Sequence, residues 1–218
     1  MAEETPAADN AKKRERRPLT MLREFVLADF ITLGNAAAGT ASIFLCLNYL
    51  DGDRDPRFLA WAFALLPFAL VLDLADGNVA RRMKRKSPYG LDLDSLADVV
   101  SFGVAPAVLG FTLGLRGAWD ALILVYFVSC GISRLARYNV TAEELSAGGD
   151  KVKYYQGTPI PTSLALVLVL FIAWRTGAVH EGLWFGALRL GATFHPLALI
   201  YALSGTLMIS TNLKIPKP

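Results

Sequence analysis

Cysteine is almost absent. Cys46 and Cys130 are the only two in 218 residues, and both fall inside apolar runs. Neither has a neighbouring Cys or His at metal-ligand spacing, which excludes a disulfide scaffold and leaves both as small buried side chains. Charge is sparse as well: Asp, Glu, Lys and Arg make up 19% of the chain, lie mostly between the apolar runs and sum to a net charge of only +3. No nucleic-acid partner is expected from so mild a balance. What fills the chain is apolar side chains, 54% of it with a mean hydropathy of +0.40, against about 45–50% in soluble domains. They gather in runs too long for an aqueous core. Six runs of about 20 residues, each enough to cross a bilayer, would use roughly 120 positions. An ordinary soluble enzyme and a disordered chain are thereby excluded. The expectation is an all-α integral membrane protein with six transmembrane helices.

The runs are Phe25 to Leu50, Phe58 to Ala80, Leu91 to Leu115, Ala118 to Tyr138, Pro159 to Thr176, and one within Leu183 to Ser210. The last is interrupted by Arg189, Gly191, His195 and Pro196, so its membrane part is expected to start near Ala192 after an interfacial stretch. The first run carries Asp29 and Asn35 and is long enough to span, so it reads as a span and not as a cleavable signal peptide. Basic residues set the orientation. With the N-terminus inside, the cytoplasmic side collects Lys12, Lys13, Arg14, Arg16, Arg17, Arg23, Arg81, Arg82, Lys84, Arg85, Lys86, Arg134, Arg137, Lys151, Lys153, Lys214 and Lys217, leaving five of the 22 basic residues outside. Both termini are then cytoplasmic, in a multi-pass protein of the inner (cytoplasmic) membrane. Residues 1–17 read as a disordered basic tail and 18–24 as a short interfacial helix. Residues 25–211 form the transmembrane domain, 212–218 a C-terminal tail, and the polar stretch from Asn139 to Gly157 a flexible lid.

Four aspartates break the apolar pattern where the second run ends and the third begins. Asp73 and Asp76 are three apart, Asp94 and Asp98 four apart, so each pair shares one helix face. The short linker from Lys84 to Gly90 makes the two helices antiparallel neighbours whose acidic faces can meet. A carboxylate at membrane depth costs on the order of 2.5–3.5 kcal/mol even on the lenient insertion scale. Pairing with Arg81, Arg82, Lys84, Arg85 and Lys86 would explain one such residue, but four at this spacing fit hard divalent cations with oxygen ligands. Two such metals suit phosphoryl chemistry. Asp92 points to another face. Gly77, Ala80 and Gly90 leave room for a phosphate ligand near the backbone, and Arg81 offers a planar donor fork.

These residues spell a signature. Asp73-Leu-Ala-Asp76-Gly77-Asn-Val-Ala80-Arg81, eight residues, Gly90, three residues, Asp94, three residues, Asp98 resembles the CDP-alcohol phosphatidyltransferase motif at all eight fixed positions. The resemblance implies transfer of a phosphatidyl group from a CDP-linked lipid to an alcohol, with release of CMP and a requirement for Mg²⁺ or Mn²⁺ in a two-metal site. It implies Asp73, Asp76, Asp94 and Asp98 as metal ligands, with Asp98 the catalytic base. Gly77, Ala80, Arg81, Ser87 and Gly90 would contact the CDP-lipid, as would Thr32 and Asn35 in the first span, although Thr and Asn in a span also bond neighbouring helices. A homodimer is implied by the family alone.

The motif does not choose the alcohol. Ser133-Arg-Leu-Ala-Arg-Tyr-Asn139, Tyr155-Gln-Gly-Thr-Pro-Ile-Pro161 and Ser95-Leu-Ala-Asp-Val-Val-Ser-Phe-Gly-Val-Ala-Pro106 resemble the bacterial and archaeal integral-membrane phosphatidylserine synthases, except that Thr158 stands where that group has Leu. The implied substrates are CDP-diacylglycerol, drawn from the membrane lipids, and L-serine. Arg134 and Arg137, at i,i+3, would bind the serine carboxylate; they would equally hold a lipid phosphate or mark the cytoplasmic rim. Glycerol 3-phosphate, inositol phosphate or choline as acceptor and an ether-lipid donor remain open, as does a different class, a cation transporter using the aspartates as its ion path.

Overall fold

The computed structural model describes residues 25–82, 89–146, 154–210 and 214–216. The expected tail and interfacial helix over 1–24, Ser87, and the middle of the expected lid lie outside the described residues. Among the described residues seven α-helices follow in order: α1 Leu27–Asp51, α2 Pro56–Arg82, α3 Gly90–Asp98, α4 Ala105–Leu113, α5 Ala118–Ser146, α6 Leu164–Arg175 and α7 Leu199–Ile209. A π-helical turn, Val99–Val104, joins α3 to α4 in one continuous helical path. Pro106 gives this turn a cause: it has no N–H, and its ring would crowd the carbonyl four residues back, which a wider turn ahead of it accommodates.

Among the described residues, four helical stretches are long and apolar enough to cross a membrane: Leu27–Asp51, Pro56–Arg82, Gly90–Leu113 and Ala118–Thr141. Their outward faces are apolar, with Trp61, Val71, Leu122 and Val125 each 60–65% exposed; water would penalise that surface, whereas lipid does not. The fifth and sixth runs are shorter than expected. They form the helical stretches Ile160–Arg175 and Pro196–Ile209, which at about 1.5 Å per residue fall short of a hydrocarbon core of about 30 Å. The interruptions seen in the sequence explain the sixth. Residues ahead of it form the hairpin of β2 Leu188–Leu190 and β3 Ala192–Phe194, and helix begins only at Pro196. A second ribbon pairs β1 Tyr154–Gln156 with β4 Lys214–Pro216, tying the end of the expected lid to the expected C-terminal tail. The start of that lid is helical, since α5 continues to Ser146.

α1 organises the bundle. Its buried residues Ala28, Thr32, Asn35, Gly39, Ser42, Cys46 and Tyr49 recur every three or four positions and form one inward stripe of mostly small or polar side chains. Small residues let backbones approach where no aqueous hydrophobic force drives helices together. The Ser42 hydroxyl donates to the Ala62 carbonyl of α2 at 3.0 Å. A Cβ on Gly39 would lie 2.7 Å from the Ser101 Cα, so only glycine lets α1 meet the π turn this closely.

The end of the bundle opposite the aspartate motif is closed by polar locks. Tyr49 Oη and His180 Nε2 lie 3.2 Å apart with their rings stacked. Burial, then the charges of Arg54 and Arg116, push the His180 pKa below its ordinary value, so this ring is neutral at pH 7. Asp120 is fully buried and accepts from the backbone N–H groups of Gly117 at 2.9 Å and His195 at 2.8 Å, and it meets His195 Nδ1. Asp120→Ala strands those buried donors, each at about 1–3 kcal/mol. The expected result is a destabilisation of at least about 2 kcal/mol, read as a lower Tm of the detergent-solubilised protein; an unchanged Tm would show that the lock contributes nothing.

Candidate metal centre

Three carboxylates converge at the other end. Asp73 and Asp76 from the last turns of α2 and Asp94 from the middle of α3 offer oxygens that all lie within 4.8 Å of one another. The i,i+3 spacing stacks the first two on one face of α2, and the antiparallel start of α3 brings the third against them. Asp94 Oδ1 is buried without a hydrogen-bond partner, and among the described residues no Lys or Arg forms an ion pair with any of the three. Converging hard oxygens with one left unsatisfied are a donor set for a divalent cation such as Mg²⁺ or Mn²⁺.

Hydroxyl and amide groups of α1 hold this acidic face from the other side. Thr32 Oγ1 donates to Asp76 Oδ2 at 2.6 Å. Asp98, 7% exposed, lies one turn deeper than Asp94 and outside the convergent triad; Asn35 Nδ2 donates to its Oδ1 at 3.4 Å. Asp92 is turned away, as its position on α3 requires, and accepts from Asn139 Nδ2 at 3.3 Å, while Ser95 Oγ donates to Asn139 Oδ1 at 2.9 Å.

A cleft of about 370 Å³ opens beside the triad, lined on the polar side by Asp29, Thr32, Asp76, Arg81 and Asp94. Gly77, Ala80 and Gly90 complete its wall, and a Cβ on Gly77 would meet nothing within 4 Å, so the space in front of that backbone is open to a ligand. Arg81 reaches the cleft with its guanidinium bonded to Asn78 Oδ1 at 2.8 Å on the exposed side. Thr32, Gly77, Ala80, Arg81 and Gly90 are therefore gathered at one cleft. Asn35 is not: it is 0% exposed and absent from the lining, so a direct contact to a ligand in this cleft is not what the structure shows. Arg134 and Arg137 on α5 do not line the cleft either.

One polar lining residue escaped the sequence reading. Asp29 is 2% exposed, and its Oδ2 accepts the Val26 N–H at 2.9 Å, capping the first turn of α1 at the cleft mouth. Its signal was a carboxylate at the start of an apolar run, one turn before Thr32.

Comparison with known proteins agrees with this geometry. A family model described as CDP-alcohol phosphatidyltransferase matches residues 25–204. A Saccharomyces cerevisiae protein named CDP-diacylglycerol–serine O-phosphatidyltransferase is 43% identical over 91% of this chain and 73% of its own length. An archaetidylserine synthase of Methanothermobacter thermautotrophicus is 36% identical over 67% of this chain and 58% of its own. A CDP-diacylglycerol–serine O-phosphatidyltransferase of Mycobacterium leprae is 31% identical over 80% of this chain. The chain spans 57% of that protein's length.

Proposed function

The chain belongs to the CDP-alcohol phosphatidyltransferase family, and from that premise we propose that it is a CDP-diacylglycerol–serine O-phosphatidyltransferase, converting CDP-diacylglycerol and L-serine to phosphatidylserine and CMP. The observation that carries the chemistry is the convergence of Asp73, Asp76 and Asp94 beside a cleft with an arginine on its wall. The acceptor rests on the names of the relatives, each of which contains serine.

Asp73, Asp76 and Asp94 would hold Mg²⁺ or Mn²⁺, with Asp98 joining where a second ion is bound. When present, the metal supplies Lewis-acid neutralisation of the pyrophosphate. Thr32 fixes the Asp76 carboxylate by its short hydrogen bond. Arg81 donates to phosphate oxygens from the cleft wall, and the bare backbone at Gly77 lets the pyrophosphate approach. Asp98 takes the serine hydroxyl proton as that oxygen attacks the phosphorus bearing the diacylglycerol. The full architecture under this reading has six spans, the last two short or locally thinning the bilayer, with the cleft on the cytoplasmic side where the basic loops gather. A homodimer in the inner membrane is the assembly the family resemblance supports.

Arg134 and Arg137 are the proposed serine-carboxylate ligands. Asn139, two residues beyond Arg137, is bonded to α3 through Ser95 and Asp92, which keeps this end of α5 beside the acidic helix. The test is an acceptor panel: purified protein with CDP-diacylglycerol, Mg²⁺ or Mn²⁺, and serine, glycerol 3-phosphate, inositol phosphate or choline, followed by CMP release. Serine alone is expected to support turnover; turnover with another alcohol and none with serine overturns the acceptor, and no CMP with any points to ion transport. Arg137→Ala removes one charge-assisted bond of about 1.5–3 kcal/mol, so the serine KM should rise about 10–100-fold while the CDP-lipid KM barely moves. A rise in the lipid KM instead assigns this arginine to the phosphate. The archaeal relative also favours offering an ether-linked CDP-lipid beside the diacyl donor.

A further inference from the structure

We infer that Asn35 is a positioning residue for Asp98 and not a contact to the nucleotide. The inference rests on the proposed role of Asp98 as the acceptor of the serine hydroxyl proton.

The argument begins from an expensive placement. Asn35 is 0% exposed about two turns into an apolar span, where an amide is costly unless its donors and acceptor are used. Only part of the side chain is used: Nδ2 donates to Asp98 Oδ1, and Asn35 Oδ1 has no partner. A leucine of similar volume would fill the position without stranding a carbonyl. The bond to Asp98 is thus the one interaction that gives the amide a purpose.

The backbone of the same residue holds the other side of Asp98. Ser101 Oγ, on the π turn that starts immediately after Asp98, donates to the Asn35 carbonyl oxygen at 2.9 Å. One turn along α1, Gly39 lies flush against the Ser101 backbone, which fixes the height of the π turn on α1. Asn35 therefore ties both the Asp98 carboxylate and the segment that carries it to a single position on α1. The hydrogen bond from Asn35 Nδ2 restricts rotation of the Asp98 side chain. A proton acceptor works only with its lone pair aimed at the hydroxyl. Neither Asn35 nor Asp98 lines the cleft wall, but Asn35 is 0% exposed and Asp98 7%, so of the two only Asp98 keeps surface for a substrate.

The experiment is a double-mutant cycle on the full chain in detergent, reading single-turnover release of labelled CMP and the CDP-lipid KM for Asn35→Leu, Asp98→Asn and the pair. If Asn35 acts through Asp98, Asn35→Leu lowers the rate about 10–100-fold with the lipid KM within about twofold, and costs nothing further in the Asp98→Asn background. Independent losses that multiply in the pair overturn the inference, and so does a normal rate in Asn35→Leu. A raised CDP-lipid KM at unchanged rate makes Asn35 a nucleotide contact. Asn35→Ala, smaller and free of any clash, gives the same reading if the leucine variant does not fold. Should Asp98→Asn alone keep its full rate, it is the proton-acceptor assignment that fails.

Discussion

Excess EDTA should abolish turnover by the purified protein, and Mg²⁺ or Mn²⁺ should restore it. The expectation comes from electrostatics. Three carboxylate oxygens within 4.8 Å of one another repel by roughly 3 kcal/mol per pair at an effective dielectric of about 20. No lysine or arginine among the described residues is paired with them. Thr32 relieves only Asp76, and the buried Asp94 Oδ1 has nothing. A bound divalent cation removes the repulsion and satisfies the orphaned oxygen at once, so the same titration should raise the Tm of the solubilised protein as metal binds the folded form. Monovalent salt should do neither. Full turnover in excess chelator would sink the metal-site assignment.

The acidic triad was legible because a helix converts sequence spacing directly into a shared face. Asp73 with Asp76, and Asp94 with Asp98, needed only the 3.6-residue period and a short linker to be placed together. What spacing cannot give is depth. Asp98 shares a face with Asp94 yet lies one turn further along α3 and outside the triad. Thr32 and Asn35 sit on one stripe of α1, but only Thr32 reaches the cleft. Asp29 was read only as a polar residue of the first span; that it caps α1 and faces the cleft is a tertiary fact. The pairing of Tyr154–Gln156 with Lys214–Pro216 joins segments about sixty residues apart, and no local pattern encodes it. Four spans are evident from unbroken apolar length, whereas Gly191 and Pro196 shorten the last helix where composition alone suggested a full crossing.

Asp98→Asn should cut kcat by roughly 10²–10⁴-fold, the usual contribution of a general base, and leave CDP-lipid binding nearly intact. The substitution keeps the shape of the side chain and an oxygen able to accept from Asn35 Nδ2, so the surrounding packing has no reason to change. What it removes is basicity. Asp73→Asn and Asp94→Asn should behave differently, because each takes one charged oxygen from the convergent triad. Their primary loss is metal affinity, and part of the missing rate should return as Mg²⁺ is raised. A metal-dependent loss is a mass-action effect that concentration can offset; a missing proton acceptor is not. Turnover measured against Mg²⁺ for the three variants therefore separates the roles on one plot: two curves displaced to higher metal, and one that saturates at the ordinary concentration but at a far lower plateau. If the Asp98→Asn curve instead climbs to the wild-type rate at high Mg²⁺, Asp98 is a fourth ligand, and the serine proton goes to a different group, of which Asp29, a buried carboxylate that lines the cleft, is the first to test.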